Sequence, residues 1–206
     1  MQKVVNMLKR KVSDDIAKWY QSGCKKALLL TGSRQVGKTT SVREFAKANY
    51  SHFVEINFVK YPRAKQAFDG NLDTKTIVTN LSAMGFGPFV EGKTLIFFDE
   101  IQECPNARTA IKFLVEEHRY DFIESGSLLG INYKPVTSYP VGYEQELKMY
   151  PLDFEEFLWA NGVSTDVIDI LLHCYSKEQP VPPFIHNQIS QFYRQHLVVG
   201  GMPNVV

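Results

Sequence analysis

The alternation of apolar and polar positions divides the chain into short elements of two kinds. Val4, Val5, Leu8, Val12, Ile16 and Trp19-Tyr20 recur at helical spacing, which predicts an amphipathic helix over residues 3–21 packed beside the core. Residues 26–31 read as a short apolar strand, and residues 39–49 as a helix with Val42, Phe45 and Ala46 on one face. Over residues 52–58, Val54, Ile56 and Phe58 alternate with Phe53, Glu55 and Asn57, the period of a strand. The stretch 60–93 is looser, with helical segments around 63–69 and 74–84 before Gly85, Gly87, Pro88 and Gly92 break the pattern. Residues 94–98 are continuously apolar, as in a parallel strand covered on both faces. Pro105 then opens a helix carrying Ala107, Ile111, Leu114 and Val115. A strand at 120–124 runs into Ser125-Gly126-Ser127, and a further one is expected at 146–150, closed by Pro151.

Repeated strand–helix alternation implies right-handed crossovers and a mostly parallel α/β sheet sandwiched by helices, with ligands at the carboxyl ends of the strands. After residue 151 the strands stop. Phe154, Phe157 and Leu158, then residues 167–172, read as helices; residues 179–183 are a proline-rich break, and 184–199 are helical again. The expected organisation is a core over 1–151 that includes the N-terminal helix, and a small helical appendage over 152–206. The chain stops soon after Gly200-Gly201-Met202-Pro203 without a finishing element, so the appendage is expected to be truncated at its C-terminal end.

Composition adds exclusions. No apolar run in the 206 residues approaches the roughly 18 needed to span a membrane. Lys3, Asn6, Lys9, Arg10 and Lys11 interrupt any secretory core at the N-terminus, which points to a cytoplasmic protein. Cys24, Cys104 and Cys174 show neither a disulfide framework nor zinc-ligand spacing, and are expected to be reduced thiols. The net charge of +1 gives no global pull towards nucleic acid. It is unevenly spread: residues 1–26 carry seven bases against two acids, and residues 139–178 eight acids against two bases. Such runs are read as solvated helical surfaces or as patches for nucleic acid or a partner.

The strongest chemical signal is Gly32-Ser33-Arg34-Gln35-Val36-Gly37-Lys38-Thr39, placed between a strand and a helix, with Thr40 following. Its glycines let backbone N–H groups converge on phosphate oxygens, and the helix beginning near Lys38 adds the positive end of its dipole. Lys38 is the residue expected at the β- and γ-phosphates, and the Thr39 hydroxyl at Mg²⁺. About sixty residues on, an apolar run ends in Asp99-Glu100. Asp99 suits the metal through a water, and Glu100 the attacking water; an acid pair after a strand is otherwise a helix cap. Ser125 or Ser127 either senses the γ-phosphate and holds the water, or supplies turn chemistry. The absence of an N-K-x-D run disfavours guanine.

These segments occur in order with Phe98-Asp99-Glu100-Ile101-Gln102, the run from Glu146 through Pro151-Leu152-Asp153-Phe154 to Leu158, and Gly200-Gly201-Met202-Pro203. The set resembles the predicted AAA-superfamily ATPases of bacteria and archaea that carry a C-terminal domain of unknown function. The resemblance implies a P-loop NTPase core of AAA+ type, with Walker A and Walker B roles for the residues above and ATP with Mg²⁺ as cofactors. It also sets Gly201-Met202-Pro203 near the adenine, against the simpler reading of a helix terminator. Two departures stand out. Ser33 replaces a frequent proline, and Gly142-Tyr143 stands where many members have Gly-Arg, with no arginine between Arg119 and Arg194. An arginine finger is worth about 10³–10⁵ in rate. Slow turnover is therefore expected unless Arg34, Arg119, Arg194, Lys134 or a neighbouring subunit or protein partner supplies the cation.

Three functions compete on this reading. One is a slow ATPase acting as a nucleotide-dependent switch or remodeller through the appendage. Another is an ATP-dependent nucleic-acid-binding protein using the basic helix at 1–26. The third is a small-molecule kinase, disfavoured by the arginine-free stretch 120–193.

Overall fold

The computed structural model describes residues 8–23, 25–127 and 140–206. They divide into two compact units, one of Val12–Met149 and one of Tyr150–Val206 together with the described N-terminal residues up to Lys11.

In the first unit, β1 (Ala27–Gly32), β2 (His52–Asn57), β3 (Thr94–Asp99), β4 (Asp121–Gly126) and β5 (Glu144–Met149) form one sheet in the order β2-β3-β4-β1-β5. Every pairing is parallel, so all five carboxyl ends lie along one edge. The helices are α1 (Lys11–Gln21), α2 (Lys38–Asn49), α3 (Thr74–Ala83) and α4 (Pro105–Glu116), with 3-10 helices at Pro62–Phe68 and Ile101–Glu103. The α/β class read from the strand–helix alternation is the one observed.

Alternation along each strand assigns the two faces. Ala27, Leu29, Val54, Ile56, Ile96, Phe98 and Phe122 form one core with α3, α4 and the 3-10 segment. The intervening Leu28, Leu30, Leu95, Phe97 and Ile123 are buried on the opposite face, where α2 contributes Val42, Phe45 and Ala46. Burial on both faces explains why β1 and β3 read as unbroken apolar runs. On the α2 side, Trp19 and Tyr20 of α1 meet the ring of Phe45 edge-on, at 6.4 and 5.7 Å between centroids.

Most boundaries shift by one or a few residues, and three differences from the pattern have a clear structural form. The first helix was expected from residue 3. Residues 8–10 are not helical and α1 begins at Lys11, while residues 3–7 lie outside the described residues. Tertiary bonds take over at this point: Glu156 Oε1 accepts from the Lys11 N–H at 2.7 Å and from Arg10 Nε at 3.1 Å, and Arg10 Nη2 donates to the Tyr150 carbonyl at 2.7 Å. The segment at 63–69 is a 3-10 rather than an α-helix. Strand β5 starts two residues early, because its ladder to β1 begins at Ala27↔Glu144 although Glu144 and Gln145 give no apolar signal.

The second unit holds α5 (Phe154–Ala160), α6 (Thr165–Ser176) and α7 (Pro183–Val199). Helix α5 opens with a capping box: Asp153 Oδ1 accepts from the Glu156 N–H at 2.9 Å and Glu156 Oε2 from the Asp153 N–H at 3.1 Å. Phe154 packs on Tyr193 and Phe157 on His196, joining α5 to α7. Gly200 ends α7 at φ 77°. Gly201 must be glycine for another reason, since a Cβ there would stand 2.0 Å from the Leu152 carbonyl oxygen. Within this unit the Gly200-Gly201 pair terminates a helix and packs against the start of the α5 cap.

The charge runs are not simply solvated. Arg10 and Glu156 are 8% and 5% exposed and paired with each other. Lys11 bridges to Asp153 and Glu155, and Lys18 to Asp15. Much of the N-terminal positive charge is therefore neutralised within the chain.

Candidate functional site

The loop from Gly32 to Gly37 joins the carboxyl end of β1 to α2. Two of its glycines are there for stereochemical reasons. Gly37, the residue before α2, has φ 99°, which a side chain strongly disfavours. At Gly32 the backbone runs so close to β5 that a Cβ would lie 2.2 Å from the Met149 carbonyl oxygen. Gln35 is also left-handed, at φ 66°. Ser33, Arg34 and Gln35 are exposed, whereas Val36 is buried and anchors the loop from below.

Lys38 lies across the inside of this loop. Its Nζ donates to the carbonyls of Gly32 at 2.9 Å and Ser33 at 2.8 Å. Burial pulls the ammonium below the usual lysine range; Glu100 and Asp99 act against that, and Arg34 adds to it. Both loop contacts are acceptors, which favours the charged form.

Asp99 closes β3 and is 4% exposed. The Thr39 hydroxyl donates to Oδ2 at 3.2 Å with Oδ1 at 3.3 Å, Asn57 Nδ2 donates to Oδ2 at 2.7 Å, and the Ser125 hydroxyl donates to Oδ1. Topology brings these together. Asn57 is the register partner of Asp99 across β2–β3, and β4 lies between β1 and β3, so Ser125 reaches Asp99 from the neighbouring strand. Thr39, Asp99 and Ser125 were singled out in the sequence and meet here. Asn57 was not; its signal was a polar residue closing an alternating strand level with the acid pair. Its Oδ1 also accepts from the N–H groups of Val59 and Lys60, at 3.0 and 2.8 Å.

Glu100 adopts a left-handed backbone, φ 57° and ψ 48°, and its Oε2 accepts from Gln102 Nε2. A non-glycine residue there carries strain of about 1–3 kcal/mol, of the kind that clusters at active sites. Ser127 stands just beyond β4 and is half-buried, while Thr40 is exposed on the first turn of α2.

The absent arginine takes a different meaning in this geometry. Tyr143 precedes β5, and its carbonyl accepts from the N–H of Ala27, the first residue of β1. Position 143 thus lies at the amino-terminal edge, six residues along the ladder from Gly32, or about 20 Å at roughly 3.3 Å per residue. An arginine there does not face the loop of its own chain, so its absence removes no cation from the cradle in cis. Arg119 stands at the same edge before β4, paired with Glu91 and Glu117. Lys134 lies outside the described residues, and Arg194 belongs to the other unit. Arg34, exposed on the loop, is the cation the sheet places beside Lys38.

A second polar cluster lies on the α4 face. Glu124 is fully buried in the middle of β4, facing Glu144 of β5 and Arg108 of α4; Arg108 reaches Glu144 at 3.4 Å. Burial pushes the Glu124 carboxyl well above the usual carboxylate range, the neighbouring Glu144 adds to this and Arg108 opposes it. Glu144 is raised too, by burial first, with Arg108 again opposing. Among the thiols, Cys104 and Cys174 are free and buried, Cys104 being pushed up to about 11 by burial, while Cys24 lies outside the described residues. Among the described residues no helix is long and apolar enough to cross a membrane.

The solved structures similar to this chain include a Walker-type ATPase of Pyrococcus abyssi (14% identity, TM-score 0.49, 96% of this chain and 65% of that one), the ORC1 protein of Aeropyrum pernix in complex with DNA (14%, 0.46, 82% and 54%), and the Pif1 helicase of Candida albicans (12%, 0.47, 88% and 47%). The chain thus spans between about half and two thirds of the length of these proteins. No curated protein matches it in sequence. The profile described as "AAA domain" matches residues 24–158, which takes in the loop, the Asp99 cluster and all five strands; the chain belongs to that family, and its core is an AAA-type P-loop domain.

Proposed function

We propose that the chain binds Mg·ATP in the Gly32–Thr40 loop and hydrolyses it slowly, as a nucleotide-dependent switch or remodeller. The observation that carries this reading is the meeting of the Thr39 hydroxyl with the Asp99 carboxylate at 3.2 Å, at the mouth of a loop crossed by Lys38. A hydroxyl and a carboxylate are hard oxygen donors of the kind Mg²⁺ accepts, so the residues present fit that ion. Bound there, Mg²⁺ would neutralise charge on the β- and γ-phosphate oxygens.

The rest falls to the chain's own groups. Backbone N–H groups of residues 32–40 receive phosphate oxygens, aided by the N-terminus of α2. Lys38 exchanges two neutral carbonyl acceptors for charged phosphate oxygens, which form the stronger bond. Asn57 and Ser125 fix the Asp99 carboxylate by donating to it. Glu100 accepts a proton from the attacking water, Gln102 setting its orientation. Ser127 stands just beyond the end of β4, at that same edge. Lys38 and Arg34 are the loop's own cations, and Lys148 is the register partner of Thr31 just before it; slow turnover follows if the transition-state charge waits on a cation from a partner or second copy.

The test is Mg²⁺-dependent phosphate release together with binding of a fluorescent ATP analogue. Glu100→Gln should bind nucleotide as the parent does and lose turnover by about 10²-fold or more, the scale of a general base. Equal rates would remove Glu100 from the chemistry. Failure of the parent to bind nucleotide would reject the whole reading.

A further inference from the structure

Beyond the carboxyl end of β2 the first unit carries a cavity of about 670 Å³ that the nucleotide reading leaves unused. That volume falls in the range of about 300–1,000 Å³ typical of ligand pockets. Its walls are Lys60, Tyr61 and Arg63 on one side and Met84 and Phe86 on the other, with Glu55 at one end. The rings of Tyr61 and Phe86 meet edge to face at 5.6 Å and 86°, and Tyr61 and Met84 are about 40% exposed.

Both walls are held by backbone bonds. Asn57 Oδ1 accepts from the N–H groups of Val59 and Lys60, its carbonyl accepts from Tyr61, and the Tyr61 carbonyl accepts from Ala64. Opposite, Gly85 donates to the Ser82 carbonyl and Phe86 to that of Leu81. The aromatic surface is therefore in place before a ligand arrives.

The charges select the ligand. Glu55 is held by Arg43 through two bonds of 2.7 Å, so it presents little free negative charge. Lys60 has its ammonium 5.0 Å from the Tyr61 ring, and neither it nor Arg63 has a carboxylate partner among the described residues. The cavity thus offers an apolar, aromatic interior beneath two unneutralised cations. A flat apolar group attached to an anionic backbone fits both features. An acidic peptide engages the cations but leaves the rings unused. Duplex DNA brings the charge but keeps its bases stacked away from them.

We propose that this cavity binds single-stranded nucleic acid, one unstacked base against Tyr61 and Phe86 and flanking phosphates at Lys60 and Arg63. The proposal does not depend on ATP hydrolysis. It also moves nucleic-acid contact away from the N-terminal basic run, whose Arg10, Lys11 and Lys18 are paired with acids.

The experiment is fluorescence anisotropy of a labelled oligo-dT with the full chain across a salt series, alongside the matching duplex and a poly-glutamate competitor. Tyr61→Ala should weaken single-strand binding by about 5- to 150-fold, the loss expected for one stacked base. The double variant Lys60→Glu/Arg63→Glu should reduce the slope of log K against log salt by about 1.4, two single-strand phosphate contacts. Lys47→Glu, on the exposed end of α2, controls for general charge and should change neither. Binding of the ATP analogue by all these variants shows that the fold and the loop are intact. The proposal is overturned if the parent does not bind oligo-dT. Parental affinity of Tyr61→Ala, equal binding of duplex, or displacement by poly-glutamate as effective as by oligo-dT overturns it as well.

Discussion

Gly32→Ala tests whether the phosphate loop owes its path to a backbone collision rather than to local flexibility. The alanine Cβ would lie 2.2 Å from the Met149 carbonyl oxygen and 3.2 Å from its carbon. Ordinary contact begins near 3.4 Å, so about 1 Å of separation must come from the backbone of β1 or β5. Neither strand can yield alone, because Gly32 and Met149 are register partners at the end of a six-residue parallel ladder. Forcing extra volume into a packed site costs about 1–3 kcal/mol, and the upper end applies where backbone rather than a side chain has to move. In a unit of this size, 3 kcal/mol lowers the melting temperature by roughly 6–12 °C. Gly23→Ala is the matched control: φ is 61°, but nothing lies within 4 Å of its Cβ, so it carries only the left-handed penalty of about 1–2 kcal/mol. Thermal unfolding by circular dichroism and binding of the ATP analogue would be read on both. Gly32→Ala should melt below Gly23→Ala and lose nucleotide affinity, while Gly23→Ala should keep it. If Gly32→Ala melts with the parent, the close approach to β5 is not what shapes the loop.

Two further outcomes follow from buried charge. The Glu124 carboxyl is raised in the fold, so above about pH 4.5, where the unfolded carboxyl ionises, the folded chain still holds its proton, and stability falls as pH rises until the folded group ionises as well. Glu124→Gln keeps the neutral form, leaves Arg108 paired with Glu144, and should melt at or above the parent at pH 8 while the two converge near pH 5; a constant difference across pH would refute the raised Glu124 carboxyl. In the second unit, Arg10→Met strips Glu156 of its buried cation and should cost about 3–5 kcal/mol in chemical denaturation, whereas Lys18→Met, at an exposed pair, should leave the denaturation midpoint close to that of the parent.

The legible parts of this chain were those where one local rule decides. Continuous apolar runs marked β1 and β3 because burial on both faces leaves no polar alternation to confuse, and Pro105 marked the start of α4. The glycine loop could be read because its residues act through their own backbone. What escaped depends on partners distant in sequence. The start of α1 is set by Glu156, some 145 positions away, and no periodicity in residues 3–21 carries that information. Glu144 and Gln145 join β5 through a ladder with β1 rather than through their own hydrophobicity.

The reading of the missing arginine shows the same limit in sharper form. Sequence distance from the loop said nothing about which edge of the sheet position 143 occupies; the parallel register of β5 with β1 answers it. Asn57 is the converse case. It looked like the outward polar member of an alternating strand, yet the β2–β3 register puts it beside Asp99, and its two ends then join that carboxylate to the N–H groups that shape the wall of the 670 Å³ cavity. In a parallel sheet, chemistry collects where strands end. The residues closing β2, β3 and β4 are therefore a better guide to the site than neighbours along the chain.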